Sequence, residues 1–181
     1  MIRGLCGAVF FLMSGVGAAQ GSFPYTLQWK HFTRTPATAL ALGDSLIYAG
    51  EGEGLVSALR QQDGARVWQR PGYGPLRRPL VLAGGQVLVA DAWGRVEVLE
   101  ASAGAPLWSA QRQGWGEAGS VVEVGHFFLG SADGWLYALA AVDGNEAWRL
   151  YTGDSLPSSP WASEGQLSPA ARSGQLRQVD R

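Results

Sequence analysis

The chain has 181 residues, a length suited to one domain, and 46% of them are hydrophobic, enough to build a packed core. Only 16% are charged and the formal net charge is −1, so the chain carries no electrostatic footprint for nucleic acid. A single cysteine excludes an internal disulfide and any multi-cysteine metal site.

Residues 1–19 read as a secretory signal peptide. Arg3 supplies a positive start, Leu5 to Val16 form an apolar run, and Gly17-Ala18-Ala19 place small residues before a cleavage point after Ala19. The run is too short and glycine-broken to span a membrane. Cys6 lies inside this leader, too early to carry a lipid at the cleavage point. The expectation is an exported chain of residues 20–181, periplasmic or secreted, without a lipid anchor or a membrane span.

The exported part repeats with a period of 40: Trp68, Trp108 and Trp148 stand in register, as do Gly54, Gly94, Gly134 and Gly174, and Gly64, Gly104 and Gly144. Apolar columns run alongside, among them Ile47, Val87, Phe127 and Leu167. Short apolar runs rich in β-branched and aromatic residues, bounded by Gly and Asp, predict strands joined by tight turns. The glycine that ends Glu51-Gly52-Glu53-Gly54, Asp91-Ala92-Trp93-Gly94 and Ser131-Ala132-Asp133-Gly134 is expected at positive φ.

In chain order the strands are predicted at 36–42, 45–50, 55–60 and 65–70, then 78–83, 86–91, 95–100 and 105–110, then 119–124, 126–131, 135–140 and 145–151. An all-β unit of this length with three tight turns is a four-stranded antiparallel blade, and blades repeated radially make a β-propeller. Tyr25 to Phe32, with Trp29, reads as a lone fourth strand of a preceding blade. The segments 158–163, 166–170 and 175–180 read as three strands of a fourth blade. Pro169 interrupts the second of these, and Ser168 replaces the large residues Tyr48, Leu88 and Phe128 of its column. The two incomplete ends are complementary. Their pairing gives a closed four-bladed ring within one chain, or half of an eight-bladed dimer formed by strand exchange between two. A truncated piece of a longer propeller is the third arrangement.

Trp135-Leu136-Tyr137-Ala138-Leu139, then Val142-Asp143-Gly144 and Trp148, preceded by Gly130-Ser131-Ala132-Asp133-Gly134, resembles the repeat of the pyrroloquinoline-quinone-like (PQQ-like, quinoprotein-like) propellers. The likeness covers about residues 25–181. It implies one of three roles: a quinone- and calcium-dependent dehydrogenase, a periplasmic scaffold, or a sensor domain. Seven or eight blades are usual in that family, so four is a departure. The resemblance also implies that Trp29, Trp68, Trp108 and Trp148 dock one blade on the next, a structural role.

Catalytic chemistry finds little support in the residues. Most carboxylates fall in turns, where Asp bonds its own backbone. Glu51-Gly52-Glu53 is the one tight acidic pair available to a hard cation, which wants several converging oxygens. His31 and His126, the two histidines, are too few for a zinc site. No Gly-x-Ser-x-Gly elbow occurs, and with Lys30 as the one lysine no phosphate loop ending in Gly-Lys exists. Arg77-Arg78 and Arg66/Arg70 read as solvated surface. Tyr73, Trp115 and Trp161 read as lying outside the repeat columns, in predicted blade connections, and are the candidate partner contacts. The expected function is therefore that of an exported, non-catalytic binding or scaffold module with a protein partner in the envelope and no cofactor or metal. A reduced quinone-dependent dehydrogenase and a truncated propeller are the alternatives.

Overall fold

The computed structural model describes residues 13–15, 25–111, 114, 119–163, 166–169, 172–173 and 179–180. Every regular element among them is a β-strand. Strands β1 (Met13–Gly15) and β2 (Tyr25–Leu27) pair with each other. The first blade follows as β3 (Ala37–Leu42), β4 (Leu46–Glu51), β5 (Val56–Arg60) and β6 (Arg66–Arg70). The second is β7 (Val81–Ala83), β8 (Gln86–Ala90), β9 (Arg95–Glu100) and β10 (Pro106–Gln111). The third is β11 (Ser120–Glu123), β12 (His126–Gly130), β13 (Trp135–Ala140) and β14 (Glu146–Tyr151). A fourth sheet holds β15 (Trp161–Ser163), β16 (Gln166–Ser168) and β17 (Val179–Asp180). All four are antiparallel meanders, each strand paired with its sequence neighbour.

Prolines account for the strands that are shorter than the sequence predicts. Pro79 precedes β7, which starts at Val81 rather than at 78, and a lone bridge from Leu76 to Asp91 replaces the missing pairs. Pro160 precedes β15, and Pro169 ends β16 after Ser168. The predicted turn glycines do take positive φ: Gly54, Gly94 and Gly134 lie at 99°, 84° and 86°.

The blades stack face to face. Each buries an outgoing face against the incoming face of the next. Ala39, Tyr48 and Ala58 of the first blade pack on Leu80, Val87 and Leu99 of the second. Leu88 and Val98 of the second meet Phe127 and Leu139 of the third. Phe128 and Ala138 of the third meet Leu167 of the fourth. The two faces of a blade come from alternate residues of the same strands, the period-two geometry of a pleated sheet.

A second contact repeats at each joint and unites two of the sequence columns. The indole N–H of Trp29 donates to the Gln61 carbonyl (2.6 Å), that of Trp68 to Ala101 (2.9 Å) and that of Trp108 to Ala141 (2.9 Å). The same three rings lie on Gly64, Gly104 and Gly144, all at positive φ. A Cβ at Gly104 would come within 2.7 Å of the Trp68 ring. One residue before each blade tryptophan the register slips. Trp68 faces Ala58 while Arg66 faces Leu59, and the third blade repeats this with Trp148, Ala138, Glu146 and Leu139. The second blade slips likewise between Pro106 and Trp108. This β-bulge turns the outer strand so that its tryptophan leans over the neighbouring blade.

The first strand of each sheet is innermost. Strands β3, β7, β11 and β15 touch in that order, whereas among the described residues β15 does not reach β3. Arg78, read from the sequence as solvated surface, donates from Nη2 to the Pro157 carbonyl (3.0 Å) in an exposed hydrogen bond that links the second blade to the loop before the fourth sheet. The four sheets thus form an open arc. The pairing of the chain's own ends that would close a four-bladed ring is not among the described contacts.

Candidate functional site

At the corner between the first two blades, the loop from β6 to β7 meets the β8–β9 hairpin. Asp91, at the start of that hairpin, is buried, and its Oδ1 accepts the backbone N–H groups of Trp93 (2.9 Å) and Arg95 (3.0 Å). That Asx turn fixes the direction in which Trp93 projects. The Trp93 ring lies on Gly74, where a Cβ would come within 2.8 Å of it. Next to Gly74, Tyr73 lies over the Arg95 guanidinium, whose Cζ is 3.8 Å from the ring centroid, while Arg95 Nη2 donates to Ser109 Oγ (3.0 Å). Below them Arg70 pairs with the nearly buried Glu97 at 2.9 Å. Tyr73 and Trp93 remain 55% and 65% exposed, so each is held from beneath and open above.

The remaining sequence candidates are dispersed. Trp115 lies outside the described residues, as do Arg3, Cys6 and Ala19 of the predicted leader; Met13–Gly15 of that leader pair with Tyr25–Leu27. Trp161 falls within the predicted strand 158–163 and not in a blade connection, where the sequence also places it as a candidate contact. It opens the inner strand β15, opposite Ser168, and is 60% exposed. The local prolines obscure this, because they shorten the strand they flank. In the sequence Trp93 reads only as a turn residue; the glycine beneath its ring, Gly74, lies on a different loop that a one-dimensional reading cannot place next to it.

The acidic pair is split. Glu51 is buried and its Oε2 accepts the Thr35 N–H (2.9 Å) and hydroxyl (3.3 Å), whereas Glu53 faces solvent. Among the described residues no three His, Cys, Asp or Glu side chains group as a metal site would need. His126 uses Nδ1 on the Val124 carbonyl at 3.0 Å. Between the first two blades, on the opposite face, Tyr48 donates its hydroxyl to the Ala101 carbonyl (3.2 Å). Burial, and then the Asp44 carboxylate, push its phenol above the usual tyrosine range.

Among the described residues no helix is long and apolar enough to cross a membrane. The outer membrane protein assembly factor BamB of Shewanella oneidensis is 32% identical over 122 residues, which are 64% of this chain and 30% of that protein. The crystal structure of BamB from Moraxella catarrhalis superposes with a TM-score of 0.77 at 23% identity, covering 86% of this chain and 50% of the other. The computationally designed Ika4 protein superposes with a TM-score of 0.76 at 16% identity, over 86% of this chain and 98% of the design. The chain therefore spans under a third of the curated relative and half of the Moraxella structure. The family model PQQ_2, described as outer membrane protein assembly factor BamB, matches residues 52–180, and this chain belongs to that family.

Proposed function

We propose that the chain is a non-catalytic propeller module of the cell envelope that binds a protein partner through its blade-connecting loops. The observation that carries this reading is the corner formed by Tyr73 and Trp93. Two large aromatic side chains are exposed at this corner, yet each has a fixed neighbour beneath it, Arg95 for Tyr73 and Gly74 for Trp93. Rigid aromatics lose little conformational entropy when a partner covers them, and such residues dominate binding energy at protein interfaces. Membership of a family whose model is described as an outer membrane assembly factor supports an envelope location and a protein ligand.

Site-specific photo-crosslinking tests this. A photoreactive phenylalanine is placed at Tyr73 or Trp93, with Leu107 on an outer strand as control. The two loop positions are expected to trap the same envelope protein in intact cells, and the control none. Equal yields from all three positions would remove the loop site. Quinone- and calcium-dependent dye reduction by the purified chain would replace the reading with the dehydrogenase.

A further inference from the structure

Two apolar faces stand open at opposite ends of the arc, and they match. In the first three blades the inner strand places a small or medium residue opposite a large one on the next strand: Ala41 opposite Tyr48, Val81 opposite Leu88 and Val121 opposite Phe128. The large members are 4%, 0% and 7% exposed, covered by the following blade. In the fourth sheet the same pair is Trp161 opposite Ser168. The bulk has moved across the register from the second strand to the first. Ser168 is therefore compensated, and the outgoing face of the last sheet keeps a large apolar side chain. Leu167 and Ala162, which alternate with these two, face the third blade, so Trp161 faces away from it.

The first blade is open on its incoming side. Leu40 and Leu42 occupy the columns of Leu80 and Leu82. Leu80 is 5% exposed against the first blade, and Leu82 packs there too. Leu40 and Leu42 are 48% and 66% exposed. Trp29 is already seated on this blade, with its N–H on Gln61 and its ring on Gly64, as the outer-strand tryptophan of a preceding blade would be. The inner strands of such a blade are not beside it, because β15 does not reach β3 among the described residues.

We propose that a second copy of this chain covers both faces. Trp161 of one copy packs on Leu40 and Leu42 of the other, and the contact occurs twice about a two-fold axis. Each interior joint of the arc already uses this outgoing-on-incoming contact, so the dimer adds no new kind of interface. Two half-rings joined head to tail close, which satisfies both faces at once. The dimer is separate from the loop site, since Tyr73 and Trp93 are not on either face.

Light scattering of the full exported chain across a hundredfold concentration range tests this, with Trp161→Ala and the double variant Leu40→Glu/Leu42→Glu. All three side chains are exposed in the single chain, so each variant should keep the wild-type circular dichroism spectrum. The wild type is expected at twice the chain mass and each variant at the chain mass. Mixing the two variants should restore a dimer, because one of its two joints then joins an intact Trp161 to intact leucines. A monomeric wild type at every concentration, dimers indifferent to both variants, or no recovery on mixing would each overturn the proposal. Photo-crosslinking from Tyr73 would be unaffected in any of these cases.

Discussion

Trp108 and Trp148 occupy the same place in successive blades and live in different surroundings. Trp108 donates to Ala141, lies on Gly144 and meets Phe127 with ring centroids 6.2 Å apart. Trp148 meets Phe128 at 5.7 Å but is 39% exposed. The acceptor column of the other tryptophans runs through Gln61, Ala101 and Ala141 to residue 181, outside the described residues. A tryptophan column is thus only half of a joint. The other half is the hairpin of the next blade, with a carbonyl for the indole and a glycine for the ring. Repetition in sequence sets up the contact, and the neighbour decides how much it stabilises.

The largest expected effect comes from breaking a complete joint. Gly144→Ala places a methyl group in the Trp108 ring at a residue already at φ 75°. The clash and the backbone strain together should cost about 3 kcal/mol. Trp108→Ala should cost a similar amount, about 3 kcal/mol, through lost packing and a lost hydrogen bond. Trp148→Ala should cost about 1 kcal/mol, because less surface returns to water. Chemical denaturation of the four proteins checks the order. The double variant Trp108→Ala/Gly144→Ala should be far less destabilised than the sum, since the methyl then meets no ring. Equal costs at Trp108 and Trp148, or strict additivity, would show that the hairpin does not set the strength of the joint.

A smaller effect sharpens the contrast between the second and third blades at their first hairpins. Gly84 and Gly85 take φ of 51° and 77°, and Val124 and Gly125 take 47° and 73°. Both turns have two central residues at positive φ, a shape that favours Asn-Gly or Gly-Gly and strains a β-branched residue. Val124 is 58% exposed, so its side chain contributes little burial. Val124→Asn should raise stability by about 1 kcal/mol, read as a higher midpoint of thermal unfolding. Gly84→Asn, where no strain exists to relieve, should change it much less. A fall in stability for Val124→Asn would mean that the valine is held by contacts its exposure does not reveal.

The architecture was legible because its signals are periodic. Tryptophan and glycine columns at a spacing of 40, with apolar runs between them, specify strand, turn and blade. Strand ends were less so, since Pro79, Pro160 and Pro169 act on ladders whose partners the sequence does not display. The bulges before Trp68, Trp108 and Trp148 leave no mark, because one extra residue on one strand alters register without altering composition. Read down its own column, Ser168 is a loss of bulk relative to Tyr48, Leu88 and Phe128. Only the cross-strand register shows that Trp161 supplies the missing bulk. Tyr73 was found as an aromatic in a loop, whereas Trp93 was hidden inside a repeated turn whose other members are Glu53 and Asp133.

The fourth sheet differs from the others also in how it is tied on, and acid should show it. Asp154, in the loop that leads into this sheet, accepts the backbone N–H of Ser155 on Oδ1 (2.7 Å) and that of Ser173 on Oδ2 (2.7 Å). The carboxylate therefore clamps the distant turn at Ser173 to the loop at Ser155. These N–H groups, Ser155 first and then Ser173, hold its pKa below the usual aspartate range. A lowered folded pKa means that the clamp stabilises above the ordinary aspartate pKa and is lost as the pH falls through the lower folded value. Amide exchange protection in β16, corrected for the intrinsic pH dependence of exchange, should therefore begin to drop as the pH falls to the ordinary aspartate pKa of about 4 and continue to drop below it. Asp154→Asn should show weaker protection at the higher pH and little further loss on acidification, because its side chain does not titrate. Parallel losses in the wild type and in Asp154→Asn would place the acid sensitivity elsewhere in the sheet and leave Asp154 a local turn residue.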